Sequence, residues 1–454
     1  MRLLQPGSRR ISPRRRPVID ITLPGSYSGA VNKRLPRPLV LLAAACTVGL
    51  AGCGFGLQPT VTLLTDQPEM AAYVDTFNAQ HTDVRVTIAY QDSPSQSVLE
   101  GVSGDVVIGR WLSSPAVMDR LDALSDLVKP GKLDPSWYYR TLLNMGSRDN
   151  RPFLVPLSFS LPAIVFLSTE VQTGLQPMFM PLDTLSALSA SYNKTDKAGT
   201  LVSVGFSPRW NEEFFTDTAL LFGAHFRPGR GGLPAWDEAG LKKTVDVARS
   251  WMTDVNGGVD RDALFAQRTL VQPWYKLLTA HKIRFALAPF TELFALPEEK
   301  RHDLDYRWLS QDGMVPVEDD VLFAGILRSS RNKAEARTFL QWFCSLPTQQ
   351  GLLTVNQAKR IGVFAVTNGF SALKSINEKD LLQEYPILLG HIPLESFLTF
   401  PETLPENWLT LRGTNGTDGV IWPWILAAAS ASPTDQPVKP LDKTLQDWVE
   451  SQKK

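Results

Sequence analysis

The sequence contains little cysteine and no long apolar run. Its 454 residues include only three cysteines, Cys46, Cys53 and Cys344. The apolar stretch at residues 39–50 is too short for a membrane-spanning helix, which needs about 20 residues. No later stretch reaches even 18 apolar residues. We therefore predict no membrane-spanning helix in the folded part of the chain.

The motifs of several enzyme classes are also missing. There is no G-x-S-x-G, H-E-x-x-H or C-x-x-C, and no G-x-x-x-x-G-K-[ST] for nucleotide phosphates. The five histidines are scattered without i, i+3 or i+4 pairs, so no metal or other cofactor is expected. The adjacent carboxylates at 212–213 and 319–320 rarely face each other as an acid/base pair requires. We predict a non-enzyme, with an exported hydrolase as the less favoured alternative.

The charge balance depends on the N-terminal segment. The whole chain is neutral, with 46 basic and 46 acidic residues. Residues 1–52 hold nine basic residues but only one acidic residue, so residues 53–454 carry a net charge of −8. Nucleic acids and anionic membrane surfaces are bound by basic patches, so neither is expected as a partner. A body of about 400 residues favours two domains or lobes.

The N-terminal segment has the features of a signal peptide. Basic Lys33, Arg34 and Arg37 precede the apolar stretch, which ends in the sequence LAGC at Cys53. This ending resembles the lipobox of bacterial lipoproteins, in which the cysteine thiol receives the lipid. The resemblance implies a leader at 1–52, lipidation of Cys53 and a short tether at 53–59. Cys344 would then be the remaining thiol, so no intramolecular disulfide is expected.

Residues 1–30 are polar, proline-rich and long for the start of a signal peptide. One hypothesis is that translation starts at Val31 from a GTG codon, and any other codon there would contradict it. The alternative is a true extended leader with arginine pairs suited to twin-arginine export. In either case the protein is predicted to be exported, with its body in the periplasm or extracellular space and its lipid in the cell membrane.

Beyond the tether, short β-rich segments alternate with helical patterns, which predicts an α/β protein with largely parallel sheets. Strands are predicted at 60–64, 84–90, 104–109, 162–168, 284–290 and 321–327. The apolar residues of two predicted helices recur with helical spacing; they are Met70, Tyr73, Val74 and Phe77 in one, and Leu241, Val245, Ala248 and Met252 in the other. Asn332 with Glu335 resembles a capping box at the start of a third helix.

The order of these segments resembles the extracellular solute-binding proteins of ABC importers, in the sugar-binding branch that includes maltose-binding protein. The resemblance covers residues 60–370 and is carried by stretches such as GDVVIGRW, LVPLSFSLPAIVFLSTEV and LFAGILRSSRNKAEARTFLQWFCSLPTQQGLL. It implies a two-lobed α/β fold of the periplasmic-binding-protein type (type II), with ligand in a hinged cleft. Lobe I would comprise 60–158 and 313–364, and lobe II 159–312 and 365–454.

The same resemblance implies a function and partners. The protein would bind a small solute, close its lobes and deliver the solute to a pair of ABC permeases energised by a separate ATPase. We expect it to act as a monomer. A carbohydrate is the favoured ligand; the alternatives are a non-sugar solute such as a polyamine, or a role as a sensor.

Sugar sites combine aromatic faces with planar polar side chains, which indicates candidates at strand ends and crossovers. In lobe I these are Thr65 and Asp66 after the first strand, and Arg110 and Trp111 after the third. The remaining candidates lie at the first crossover or in lobe II; they are Ser158, Phe159, Trp210, Phe290, Trp408 and Trp422. Each has a structural alternative, such as a helix N-cap for Asp66 and packing for the aromatic residues.

Overall fold

The computed structural model describes residues 58–170, 176–269, 271–413, 419–432 and 436–452. The predicted leader, the lipidation residue Cys53 and most of the tether lie outside these residues. Within these ranges, no helix combines the length and apolar character that crossing a membrane requires.

Ten strands form two main sheets. They are β1 (Thr60–Thr65), β2 (Arg85–Tyr90), β3 (Val106–Arg110), β4 (Leu154–Phe159), β5 (Pro162–Leu167), β6 (Phe179–Pro181), β7 (Ala286–Pro289), β8 (Leu304–Ser310), β9 (Leu322–Ile326) and β10 (Phe370–Ser371). Each of the six strands predicted from the sequence has a counterpart here, with ends that differ by up to two residues.

The first sheet has six strands in the order β10-β4-β9-β3-β1-β2. β1 runs parallel to β2 and β3, but the other three pairs of neighbouring strands in this sheet are antiparallel, so the prediction of largely parallel sheets was wrong. β9 runs antiparallel to β3 on one side and β4 on the other. Its register places Leu322 opposite Arg110 and Ser158. The chain just before β9 therefore lies beside the end of β3.

The second sheet has four strands in the order β7-β5-β8-β6. β5 pairs antiparallel with β7 and β8, whereas β8 and β6 are parallel. Short two-stranded pairs complete the strand structure; they join Ser147–Arg148 to Arg151–Pro152, Lys194–Thr195 to Leu201–Ser203, Arg227–Pro228 to Pro234–Ala235, and Val315–Pro316 to Leu398–Thr399.

Helices surround both sheets. They are α1 (Met70–Gln80), α2 (Pro94–Glu100), α3 (Pro115–Met118), α4 (Arg140–Met145), α5 (Leu182–Tyr192), α6 (Glu212–Leu221), α7 (Glu238–Ser250), α8 (Val259–Thr269), α9 (Trp274–Thr279), α10 (Phe290–Ala295), α11 (Glu298–Arg301), α12 (Lys333–Phe343), α13 (Leu346–Lys359), α14 (Leu381–Glu384), α15 (Trp408–Arg412), α16 (Ile421–Ser430) and α17 (Leu441–Gln452).

The side chains of β5 show how the core is divided. Ala163 and Val165 belong to a first apolar core that continues into the first sheet, whereas Ile164 and Phe166 belong to a second core. This alternation follows from the two-residue period of a strand. The second core is completed by helices such as α7, whose Leu241 is buried in it, as its helical spacing predicted.

The C-terminal part of the chain divides between the two cores. Its first section packs in the first core, and Phe370 and Ser371 form β10 at the edge of the first sheet. Side chains join the second core from Leu404 onward. The segment 365–454, which was predicted to belong to lobe II, thus contributes first to the first core and then to the second.

Two helix starts that were predicted from the sequence also differ from those in the structure. α12 follows Asn332, but the Asn332 amide makes no capping bond and donates instead to the Thr60 carbonyl oxygen at 3.0 Å. The capping-box interpretation was therefore wrong. α1 has Glu69 at its N-cap, and the Asp66 carboxylate accepts a hydrogen bond from the Gln67 side chain at 2.6 Å. Asp66 is thus not the N-cap residue of this helix.

An aromatic cluster joins the two sheets. Phe290, at the start of α10, has its ring 5.4 Å from that of Trp308 in β8 and 5.6 Å from that of Phe370 in β10. Phe364 adds a further contact at 5.1 Å. Aromatic rings at such separations stabilise one another beyond their burial. This cluster fixes the second sheet against the C-terminal strand of the first.

Replacing Phe290 by alanine should therefore lower the free energy of unfolding by about 3–5 kcal/mol, the usual cost of removing a buried phenylalanine ring. Phe290 is 1% exposed, whereas Phe397 is 37% exposed and provides a matched Phe→Ala control. Urea denaturation of both variants is the measurement. Equal losses of stability in the two variants would contradict a role for the cluster in joining the sheets.

Candidate ligand-binding cleft

A cavity of about 260 Å³ lies where the ends of both sheets meet. We call it the central cavity; its lining residues are Arg110, Trp111, Glu213, Pro289, Glu318, Asp319, Asp320 and Arg412. Arg110 and Trp111 come from the end of β3 in the first sheet, and Pro289 from the end of β7 in the second. The cavity therefore lies at a cleft between the two halves of the fold.

The end of β3 determines one wall of the cavity. Since Leu322 lies opposite Arg110, Asp320 falls within reach, and its Oδ2 is 3.0 Å from Arg110 Nε. The backbone of Trp111 has a φ angle of 57°, which is uncommon for a residue other than glycine. Its half-buried ring packs against the second core although it follows a strand of the first sheet. Trp111 thus bridges the cleft.

Helix α15, in the C-terminal part of the chain, provides the opposite wall of the central cavity. The Trp408 indole N–H donates to Asp319 Oδ2 at 2.7 Å, and Arg412 Nε lies 3.0 Å from the same oxygen. The Arg412 guanidinium also pairs with Glu213 in the first turn of α6. Because Trp408 and Arg412 are one helical turn apart, both can reach one carboxylate.

Burial changes the acid–base properties of this cluster. Loss of hydration raises the pKa of Asp319 to about 7, although the hydrogen bond from Trp408 opposes the rise. Burial also raises the pKa values of Glu318 and Asp217 well above the usual carboxyl range, and neighbouring aspartates add to both shifts. For Arg412, burial lowers the pKa to about 10.

A second cavity of about 470 Å³ adjoins the central one and shares Glu213 and Pro289 with it. We call it the tryptophan cavity, because Trp210, Trp274 and Trp422 line it. Its polar lining residues are Arg209, Asn211, Glu212, Glu213, Gln272 and Glu292.

The tryptophans of this cavity differ in their polar contacts. The Trp274 indole N–H donates to Glu292 at 3.1 Å. The buried indole nitrogens of Trp210 and Trp422 have no hydrogen-bond partner among the described residues. Trp210 is oriented by its stack on Phe265, with the ring centroids 5.6 Å apart. Two indole N–H groups are thus available to an incoming acceptor.

A third cavity, of about 560 Å³, lies on the other side of Trp111. Trp111, Trp408 and Trp448 line it. Its polar lining residues include Gln96 of α2 and the residues that precede α2, α3 and α15, which are Ser93, Ser114 and Asn407. The central cavity shares lining residues with each of the other two, so the three cavities lie side by side along the cleft.

Five of the residues predicted from the sequence come together in this cleft. Arg110 and Trp111 line the central cavity, Trp210 and Trp422 line the tryptophan cavity, and Trp408 lines the third.

The other five candidates line none of these three cavities. Thr65 is fully buried and accepts a hydrogen bond from the Gln67 backbone N–H. Ser158 Oγ is buried and donates to the Thr367 carbonyl oxygen at 3.0 Å. Phe159 and Phe290 are core aromatic residues. Asp66, described above, bonds within its own loop.

Sequence reasoning missed Glu318, Asp319 and Arg412 as site residues, and it left Trp274 unassigned. Asp319–Asp320 was considered only as a catalytic pair. The available signal was the run of three acidic residues at 318–320 just before a buried strand, because buried charges require partners. Those partners lie far away in sequence, and nothing local in the chain identifies them.

Comparison with solved structures shows which fold this is. The chain is similar to an ABC substrate-binding protein of Listeria monocytogenes in complex with cycloalternan, with a TM-score of 0.59 and 14% identity over 87% of this chain and 99% of that one. It is also similar to the maltose-binding periplasmic protein of the same organism in complex with maltose, with a TM-score of 0.60 and 14% identity over 87% and 98% of the two chains.

A third neighbour is the sugar-binding protein MalE of Xanthomonas citri, with a TM-score of 0.62 and 13% identity over 86% of this chain and 96% of that one. No protein-family model and no curated protein sequence matches the chain. The chain thus has the two-lobed α/β fold of periplasmic binding proteins, as the resemblance implied.

The buried carboxyls predict a pH dependence of stability. Asp217 is 3% exposed, and a raised pKa means that the folded protein holds its proton more tightly than the unfolded chain does. The free energy of unfolding should therefore fall as the pH rises above about 4, the usual range of a carboxyl group. Asp217→Asn should reduce this fall, measured by urea denaturation between pH 4.5 and 8.

Asp217 suits this test because no ion pair holds it in the described part of the chain. The exposed Asp83 supplies the control, and Asp83→Asn should leave the pH profile unchanged. An Asp217→Asn profile that coincides with that of the wild type would show that this carboxyl does not contribute.

Proposed function

We propose that this protein is the substrate-binding receptor of an ABC importer and that it captures a sugar or oligosaccharide in the cleft. The tryptophan cavity is the observation that carries the proposal. Indole faces bind the C–H surfaces of sugar rings, and carboxylates and amides bind their hydroxyl groups. Trp210, Trp274 and Trp422 stand here beside five such polar side chains and one arginine.

The fold supports the same function. The neighbours described above carry names of substrate-binding and sugar-binding proteins, and two of them were solved with cycloalternan or maltose. In two-lobed proteins of this kind, the ligand is enclosed by hinge closure. Trp111 contributes to closure here because it extends from the first sheet onto the second core.

The delivery steps follow from this role. The closed receptor would dock as a monomer on a permease pair, and a separate ATPase would supply the energy. The N-terminal segment supports export, with the body in the periplasm or extracellular space and the lipid on Cys53 in the membrane. The receptor binds and releases its solute unchanged.

A thermal-shift screen against mono- and oligosaccharides tests the function. A sugar present at 100 times its dissociation constant should add about 2.7 kcal/mol to the stability of the folded protein. Trp111→Ala should then weaken binding of that sugar by about 2 kcal/mol or more, because an aromatic anchor in the cleft is lost. Isothermal titration calorimetry gives both affinities.

Trp137 provides the control, since it is half-buried and lines none of the three cavities described above. Trp137→Ala should bind the sugar as the wild type does. Full affinity in the Trp111→Ala variant would remove Trp111 from the site, and a screen without any sugar hit would count against the receptor proposal.

Lipidation makes a separate prediction. Cys53→Ala should release the protein from the membrane fraction, because that thiol is the proposed acceptor of the lipid. Cys344→Ala is the matched control, since Cys344 is buried in the first core and should leave anchoring intact. Membrane fractionation and labelling with a radioactive fatty acid are the measurements. Wild-type protein without label would refute the anchor.

A further inference from the structure

The central cavity contains more carboxylates than cations. Four carboxylates and two guanidinium groups line it. Arg110 pairs with Asp320, and Arg412 pairs with Glu213 and Asp319. Both cations are thus engaged. The Glu318 side chain is 7% exposed and makes no ion pair or hydrogen bond with the described residues.

The buried oxygens of this cavity lack donors. Glu318 Oε1 and Asp320 Oδ1 are each buried without a hydrogen-bond partner in the described part of the chain. Asp319 Oδ1 also has no partner at hydrogen-bond distance there, although the Trp111 indole is close enough to lower the pKa of Asp319. A buried acceptor left unpaired costs about 1–3 kcal/mol, and more when it is charged. The arrangement therefore favours a ligand group that supplies several donors at once.

The chemical class of the ligand group that supplies these donors can be narrowed further. A hydroxyl group has one donor and also presents acceptor lone pairs, whereas a primary ammonium group has three donors, no acceptor and a positive charge. A metal ion would need a suitable ligand set, and no group of three or more metal-ligating side chains occurs among the described residues. An organic cation fits the cavity better than either.

Asp217 adds a further buried carboxyl group to this region. It is 3% exposed, and its Oδ2 has no partner within the described ranges. Its carboxyl group is close enough to Asp319 and Asp320 for the charge of each to disfavour its ionisation. An incoming cation would favour the ionised form of Asp217 and Glu318, because an opposite charge stabilises a buried carboxylate.

We propose that the central cavity binds the primary ammonium group of an amino sugar, with Glu318 as its principal counter-ion and the sugar ring extending towards the tryptophan cavity. This assignment rests on the proposed function and specifies its substrate class. The two cavities share Glu213 and Pro289 as lining residues, which places the tryptophan cavity next to the proposed ammonium site.

Matched ligand pairs provide the test. Glucosamine is compared with glucose, galactosamine with galactose, and deacetylated chitosan oligomers with cello-oligosaccharides of the same length. Within each pair the 2-hydroxyl is replaced by an ammonium group. In at least one pair, the amino sugar should bind the wild-type protein about tenfold or more tightly than its neutral partner, as expected for hydrogen bonds to a charged group. Calorimetry at constant ionic strength gives the affinities.

Glu318→Gln should abolish this preference, because glutamine keeps the shape of the side chain and removes its charge. Glu299 is exposed on α11, and Glu299→Gln is the control that should keep the preference. The comparison of each amino sugar with its neutral partner uses the wild-type protein alone. It therefore tests the ammonium assignment even if the Glu318→Gln variant fails to fold.

The other outcomes separate the two proposals. If a neutral sugar binds as tightly as its amino counterpart, the ammonium assignment is overturned while the sugar-receptor function stands. Putrescine and spermidine are measured in the same way. If these polyamines bind and no sugar does, both the amino-sugar assignment and the proposed function are overturned. If none of these ligands binds, the result contradicts both the amino-sugar assignment and the proposed function.

Discussion

The pairing of β9 between β3 and β4 is the constraint on which the cleft depends. It returns the chain to the first sheet from the second and places Leu322 opposite Arg110. Residues 318–320 are therefore held at the end of β3, where Arg110 and Trp111 leave the sheet. Without this register, Asp320 would not reach Arg110, and the acidic run would not line a cavity. One strand register thus determines the chemistry of the site.

That chemistry is costly for the folded state. Carboxyl groups buried at the cavity lose their hydration, and the two arginines pair with only some of them. Arg412 is itself buried and forms ion pairs with both Glu213 and Asp319. The aromatic cluster around Phe290 and the two apolar cores supply stability elsewhere. Proteins commonly tolerate such a local cost where a ligand will later satisfy the unpaired groups.

The sequence predicted most of the framework, because strand and helix periodicities are local properties. β1 and α7 were recognised from their apolar spacing, and Trp111 was placed from its position after a strand. The partners across the cleft were not predictable in this way. Arg110 and Asp320 are 210 positions apart, and their contact depends on tertiary pairing. Phe290 was correctly placed after a strand, but packing turned its side chain into the core. The Ser158 side chain, which was predicted at a crossover, is likewise buried.

The late return of β9 also affects the order of folding. A chain made from its N-terminus presents β3 long before β9 exists, since their paired residues are more than 200 positions apart. Until then the β3 edge has unpaired backbone groups, which can associate with other strands. Closing such a distant contact slows folding. The first sheet can therefore be completed only after more than 200 further residues have been made, unlike a sheet whose strands pair in chain order.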